Sequence, residues 1–209
     1  MRVARLLLFV VLFAAVACSG ARVRPDVVYE GNHRSYLCVL DNWTRSGKLY
    51  YHFETDAMVA ATYLTAPMRR AFVAEWKRAF DLPQADSDAM LADQLEQAKR
   101  RVEFIVSFYT PAMRQNDLPS PDSSWRLWFI DAKGRKVAPV KIQPLKVQHE
   151  QEYDFYPTYT DFGKLYRVIF PIIGADGQPL QRDAGTVTLR VTGVRGVTDL
   201  VWQIPPEAH

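Results

Sequence analysis

The chain has 209 residues, and its 26 Lys and Arg against 23 Asp and Glu give a formal net charge of +3. Hydrophobic residues make up 48% of the chain and charged residues 23%, which excludes disorder over most of its length. The small charge excess excludes a strongly basic nucleic-acid-binding protein, and two Cys exclude a disulfide-stapled miniprotein or a Cys-rich zinc site.

The first 17 residues have the organisation of an export signal. Arg2 and Arg5 form a short positive start, and Leu6–Ala17 is an uninterrupted apolar run. A helix that spans a bilayer needs about 20 apolar residues, so this shorter run fits the core of a cleavable signal peptide. We therefore predict a signal peptide over residues 1–17.

The residue after this signal is Cys18, preceded by Ala15-Val16-Ala17. This junction resembles the lipobox of bacterial lipoproteins, in which the Cys becomes acylated, although Leu is usual where Ala15 stands. An ordinary signal peptidase also accepts small residues at this spacing. The resemblance implies a lipidated Cys18, which leaves Cys38 as a free, buried thiol. Without lipidation, Cys18 and Cys38 can form a disulfide in an oxidising compartment.

Lipidation of Cys18 implies attachment to a membrane, since several acyl chains hold a protein there stably. Ser19 follows the Cys where Asp would be expected for inner-membrane retention, and this resembles lipoproteins sorted to an outer membrane. We expect a cell-envelope protein on the outer membrane that faces the periplasm. Residues 18–28 are predicted as a lipid tether, and residues 29–209 as one folded domain.

The start of this domain has the composition of strands. Ser35–Leu40 is mostly apolar and β-prone, which predicts a buried strand. Lys48–Thr55 alternates between apolar and polar residues, which predicts a half-buried strand. Met58–Leu64 is a third candidate strand.

The apolar period then changes to that of helices. Thr65 can cap a helix whose apolar stripe runs from Met68 to Ala79. A second apolar seam begins after Asp86 and continues at helical spacing to Tyr109. These patterns predict a helical hairpin at about residues 66–102. Residues 103–110 also fit a strand, so we leave open where helix gives way to sheet.

The rest of the chain reads as strands separated by turns. Asp131-Ala132-Lys133-Gly134 is typical of a hairpin turn, and Pro139 marks the strand after it as an edge strand. Strand patterns lie at Trp125–Asp131, 135–147, Leu165–Phe170, Thr186–Thr192 and Thr198–Ile204. The sequence predicts a mainly β fold with inserted α structure: an immunoglobulin-like antiparallel β-sandwich that carries a helical hairpin insertion.

Short motifs along the body resemble uncharacterised lipoproteins of bacterial genomes. These motifs are Trp43-Thr44-Arg45, Ala61-Thr62-Tyr63, Tyr109-Thr110-Pro111 and Trp125-Arg126. The resemblance implies a shared fold and carries no assigned activity, so it identifies no functional residue.

Few residues suggest catalysis. His52 and Glu54 lie two residues apart on a predicted strand, where a His and a carboxylate on one face can form a general base. The alternative is an ordinary exposed strand pair. Asp81, Asp86 and Asp88 suit helix ends better than a calcium site, so we expect no metal and no cofactor.

The segment from residue 153 to residue 166 is rich in aromatic side chains. Exposed aromatic rings on a loop are typical of a peptide- or sugar-binding surface. The alternative is that the loop packs against the helical hairpin and fills one end of the sandwich. The residues that we predict for a binding surface are Tyr153, Phe155, Tyr156, Tyr159 and Phe162.

These features favour a non-catalytic, membrane-anchored envelope lipoprotein whose body offers a binding or scaffold surface. Its expected partners are the membrane, through the N-terminal lipid, and another envelope protein or a cell-wall polymer. One alternative is an envelope hydrolase that uses His52 and nearby carboxylates. Another is an envelope assembly factor or chaperone that binds through the helical hairpin.

Overall fold

A computed structural model describes residues 21–52, 54–146, 155–156 and 162–206. Within these ranges the chain is mainly β, with two five-stranded sheets and three α-helices, which confirms the predicted fold class at this level. The helices are α1 (His33–Trp43), α2 (Ala66–Phe80) and α3 (Gln84–Arg100). The strands are β1 (Ala21–Arg22), β2 (Thr44–Tyr51), β3 (Glu54–Tyr63), β4 (Val102–Tyr109), β5 (Arg126–Ile130), β6 (Lys136–Val137), β7 (Lys141–Pro144), β8 (Lys164–Phe170), β9 (Gly185–Gly193) and β10 (Gly196–Ile204).

The first sheet has the strand order β1-β10-β9-β5-β6, and the second sheet has the order β2-β3-β4-β8-β7. Every strand pair in them is antiparallel except β1 with β10, which is parallel. Along the chain, β1 belongs to the first sheet, β2 to β4 to the second, β5 and β6 to the first, β7 and β8 to the second, and β9 and β10 to the first. Both sheets are therefore built from segments that are distant in sequence.

Aromatic rings from both sheets meet in one core. Tyr63 and Phe104 of the second sheet have ring centroids 4.7 Å apart, and the ring of Phe104 lies 5.4 Å from that of Trp202 in the first sheet. Phe129 of the first sheet is also fully buried in this group. The inner faces of the two sheets consequently share one hydrophobic core.

The strand predicted at Ser35–Leu40 is wrong, because these residues form the middle of helix α1. Asn32 caps the helix by accepting a hydrogen bond from the backbone N–H of Ser35, and the Ser35 hydroxyl completes a capping box. Tyr36, Val39, Leu40 and Trp43 are buried at helical spacing. Cys38 lies on the other side of α1 and is exposed, so the expectation of a buried thiol is also wrong.

Helices α2 and α3 occur close to where the sequence predicts them. Thr65 is the N-cap of α2, and its hydroxyl accepts a hydrogen bond from the N–H of Met68. Helix α3 ends at Arg100, and Val102–Tyr109 forms strand β4, which is buried on both faces. A strand buried on both faces has no polar alternation, which is why its apolar residues also fit a helical seam.

Residues 21–28, predicted as part of a tether, belong to the folded body. Strand β1 pairs with the end of β10, and the N–H of Val23 donates a 2.9 Å hydrogen bond to the carbonyl of Gln203. Val23 is buried, and the N–H of Arg24 donates to the side chain of Asn42. Any free tether is therefore shorter than predicted.

The strand predicted at residues 135–147 is divided between the two sheets. β6 pairs with β5 as the expected hairpin, whereas β7 pairs with β8 at the edge of the second sheet. Pro139 lies between the two short strands, where it removes a backbone donor. The chain thus crosses from one sheet to the other here.

None of the helices in the described ranges combines the length and the apolarity that a membrane crossing requires.

Candidate functional site

An open groove of about 820 Å³ lies on the outer face of strands β2, β3 and β4. We call it the β2–β4 groove. Its side-chain lining combines small residues, large apolar residues and one lysine. The described residues that line it are Ser46, Gly47, Lys48, Tyr50, Met58, Val59, Ala60, Ser107, Tyr109 and Phe162.

The register of the three strands builds this groove in two rows. Ser46, Ala60 and Ser107 are directly opposite one another, so small side chains form a low floor. Two residues further along the strands, a row of larger side chains lies beside that floor, because every second residue of a strand faces the same side. That second row is Lys48, Met58 and Tyr109.

Exposed apolar side chains form the walls of the groove. The side chains of Phe162 and Tyr50 are 71% and 61% exposed, and Met58 is 39% exposed. Among the described residues that line the groove, Lys48 alone carries a formal charge. The groove therefore suits an apolar or aromatic ligand group with a negative charge near it.

Of the five aromatic residues predicted for a binding surface, Phe162 lies at this groove. Phe155 is instead buried under the helices, with its ring 5.0 Å from that of Trp76 and 5.6 Å from that of Tyr36. Tyr156 is half-buried and stacks on Phe72. These two side chains follow the packing alternative, in which the loop fills the space beside the helices. Tyr153 and Tyr159, like Cys18, lie outside the described residues.

His52 does not share a strand face with Glu54. Strand β2 ends at Tyr51, and His52 occupies a turn with a φ of 47°, in the left-handed region. Its side chain is exposed, and its ring packs edge-on against Tyr51 at 4.1 Å between centroids. The predicted alternation over residues 48–55 is broken by this tight turn.

A His–carboxylate pair that the sequence did not indicate is present at Glu75 of α2. Its buried carboxylate is 2.9 Å from Nδ1 of His33, accepts a 3.0 Å hydrogen bond from the Tyr29 hydroxyl, and pairs with both ends of the Arg78 guanidinium. Burial alone raises the pKa of Glu75, but the hydrogen bonds from Arg78, His33 and Tyr29 outweigh it and lower that pKa. Burial and the neighbouring Glu75 raise the pKa of Tyr29 to about 12.

This cluster ties the segment before α1 to helix α2. Because Arg78 already neutralises Glu75 through two hydrogen bonds, the carboxylate is poorly suited to accept a proton from His33 during a reaction. The described ring contacts of His33 are with Glu75 and Tyr36, both of which belong to the packed helices. No spacing rule could have revealed the pair, since 42 residues separate its members.

Acidic residues at the helix ends have structural positions. Asp81 is the left-handed C-cap residue of α2, and Asp86 lies in the first turn of α3. Across the described part of the chain, no group of three or more His, Cys, Asp or Glu side chains is arranged to hold a metal ion. Comparisons with protein-family models, with curated proteins and with solved structures found no match to this chain.

Proposed function

We propose that this chain is a non-catalytic lipoprotein of the cell envelope whose folded body binds another envelope protein through the β2–β4 groove. The signal-like residues 1–17 and Cys18 support attachment to a membrane by acyl chains. Ser19 supports placement on the outer membrane, facing the periplasm. The groove supports a binding role for the body.

The proposed architecture is an immunoglobulin-like sandwich with a helical hairpin insertion. Two five-stranded sheets that share one core support the sandwich. Helices α2 and α3 follow one another between β3 and β4, which are neighbours in the second sheet, and this order supports an insertion. Sandwiches of this kind serve many unrelated functions, so the argument for binding depends on the groove.

The observation that carries the proposed function is the exposure of three large apolar side chains around a floor of small ones. Tyr50, Met58 and Phe162 together expose apolar surface at one place, where isolated exposed side chains would be ordinary. Protein interfaces are anchored by aromatic and aliphatic side chains that fill such depressions. Lys48 favours a partner with an acidic side chain next to its apolar anchor.

Site-specific photo-crosslinking in the native envelope tests this function. A photoreactive amino acid replaces Met58 in the groove, and a matched control replaces Thr186, an exposed residue on β9 of the first sheet. We expect one discrete protein adduct from position 58 and none from position 186. Equal adducts at both positions would contradict a binding role for the groove, and an adduct with glycan would identify a cell-wall polymer instead.

Substitutions that remove the apolar walls provide a second measurement. Tyr50→Ser and Phe162→Ser remove exposed rings that are outside the shared core, so the fold should be retained. We expect both to weaken the adduct formed from position 58. Val140→Ser is the matched control, because Val140 is similarly exposed but lies outside the groove.

A further inference from the structure

The first strand fastens the N-terminal end of the described chain to the body. Ala21 and Arg22 pair with Trp202 and Gln203 of β10. Arg45 holds the same point from β2: its Nη2 donates a 3.0 Å hydrogen bond to the carbonyl of Ala21, and its Nε donates a 3.1 Å bond to the carbonyl of Val201. Ala21 is thus fixed at one edge of the first sheet.

The chain between this fixed point and the predicted acylation site is very short. Three peptide units connect Cys18 to Ala21. A polypeptide spans at most about 3.6 Å per residue, so the Cα of Cys18 lies within about 11 Å of the Cα of Ala21. Acyl chains on Cys18 must therefore enter the bilayer close to this edge of the sheet.

We propose that acylated Cys18 holds the β1 edge of the first sheet directly against the bilayer, so that the β2–β4 groove meets its partner at the membrane surface. This inference rests on the lipid anchor of the proposed function. Arg45 and Ser46 point to opposite faces of β2, the edge strand of the second sheet: the guanidinium of Arg45 contacts Ala21, whereas Ser46 lies on the groove floor. The groove is therefore separated from the anchored edge by strand β2 alone. The fitting partner is a membrane-bound protein that presents an apolar segment with an acidic residue close to its own point of attachment.

The lipid anchor, and not surface charge, sets the distance between the β1 edge and the bilayer. The exposed side chain of Arg24 is next to the anchored edge, but Asp26 lies 3.9 Å from it. Membrane binding by charge alone requires a cluster of about four to eight basic residues, which this edge lacks within residues 21–28. The contact with the bilayer should therefore be the same on neutral and on anionic lipids.

Fluorescence quenching on vesicles tests the orientation. In a Cys38→Ser background, a single new thiol at Arg24→Cys, near the anchor, or at Val140→Cys carries an environment-sensitive fluorophore. Val140 follows β6, which lies four strands from β1 in the first sheet, and its N–H donates to the carbonyl of Ile169 on β8, three strands from β2 in the second sheet. It therefore lies on the side of the molecule opposite to the anchored edge. The acylated protein is reconstituted into phosphatidylcholine vesicles that contain a lipid with a nitroxide headgroup. We expect several-fold stronger quenching at position 24 than at position 140.

A spacer variant separates the short connection from the anchor itself. A Gly-Ser linker inserted after Gly20, of about 12 residues and with an average reach of about 19 Å, should abolish most quenching at position 24. Intact-mass measurement of the same samples must show unchanged acylation. Equal quenching at positions 24 and 140, or no effect of the linker, would overturn the inference.

The mass measurement also distinguishes failure of the anchor from failure of the orientation. If native Cys18 carries no acyl chain, the anchor of the proposed function is wrong. The short connection is then tested on its own by coupling a maleimide lipid to Cys18 before the fluorophore is attached at a separately protected position. Loss of the difference between positions 24 and 140 in that sample would show that the β1 edge does not set the orientation.

Discussion

Arg69 on α2 and Glu103 on β4 form a buried ion pair in which Nη2 of Arg69 lies 2.6 Å from Oε2 of Glu103. The side chain of Glu103 is fully buried, and that of Arg69 is only 2% exposed. Arg101 and Arg167 approach the same carboxylate to 3.0 Å and 3.4 Å. One carboxylate therefore holds together the start of α2 and the neighbouring strands β4 and β8.

Removing the charge of Glu103 should strongly destabilise the fold. In Glu103→Gln, three guanidinium groups remain around a neutral amide, and breaking one side of a buried pair costs about 3–5 kcal/mol. We expect the free energy of unfolding, measured in urea, to fall by an amount in that range. Near-ultraviolet circular dichroism before the transition reports whether the folded state persists.

Glu96→Gln is the matched control for this experiment. Glu96 is also paired with two basic side chains, Lys99 and Arg100, but its carboxylate is exposed on α3. Exposed pairs contribute little, because water and salt screen them. Similar losses of unfolding free energy in Glu103→Gln and Glu96→Gln would mean that burial does not account for the contribution of the Glu103 cluster.

Gly193 lies directly against the indole ring of Trp125. A Cβ added at Gly193 would come within 2.7 Å of Cε3 of that ring, which is closer than real side chains approach. Trp125 is buried against Phe108 in the core, so it has little freedom to move away. We expect Gly193→Ala to lower the free energy of unfolding by about 1–3 kcal/mol, as overpacking commonly does.

A neighbouring glycine supplies the comparison. At Gly196, across the same hairpin turn, an added Cβ would lie 3.5 Å from Cδ2 of Leu49, which is an ordinary contact. Gly196→Ala should therefore leave the melting temperature almost unchanged. If it were as damaging as Gly193→Ala, loss of hairpin flexibility would explain both effects better than contact with Trp125.

The error over α1 shows where local patterns fail. Ser35–Leu40 contains tyrosine, valine and leucines, which are common in strands, and this short apolar run fits either structure. The capping box of Asn32 and Ser35, with burial of Tyr36 and Trp43 at helical spacing, makes the segment a helix. The cap was visible in the sequence, whereas the surroundings that bury this face were not.

The candidate groove was only partly predictable for a similar reason. Phe162 was singled out by its aromatic neighbours, but Tyr50, Met58 and Tyr109 belong to three different strands. Their common position depends on the register of β2, β3 and β4, which no local pattern specifies. Alternation along each strand indicates which residues share a face and does not indicate which residues of other strands lie beside them.

Glu75 should make the free energy of unfolding depend on pH in the acidic range. Hydrogen bonds hold the pKa of its carboxyl below the ordinary value of 4.5 despite the opposing effect of burial. A group whose pKa is lowered by folding stabilises the native state above its unfolded pKa, and this contribution disappears as the pH falls through the folded pKa. Between about pH 5 and pH 3, wild type should therefore lose more stability than Glu75→Gln.

Urea unfolding measured at several pH values checks this prediction. The useful quantity is the change in unfolding free energy with pH, because Glu75→Gln is also expected to lower the stability at neutral pH by disrupting three hydrogen-bonding partners. Glu54→Gln, at the exposed start of β3, should keep the slope of wild type. Parallel curves for wild type and Glu75→Gln would show that Glu75 does not contribute to the acid sensitivity.

The state of Cys18 can be read from the number of reactive thiols. Cys38 is exposed on α1, so it should react rapidly with a thiol reagent in the native protein. If Cys18 is acylated, membrane-extracted protein contains one thiol per chain, both folded and in denaturant without reductant. A Cys18–Cys38 disulfide gives none until reductant is added, and a free Cys18 gives two. Cys38→Ser should remove the single thiol of the acylated protein completely, which makes this count a direct test of the lipid anchor.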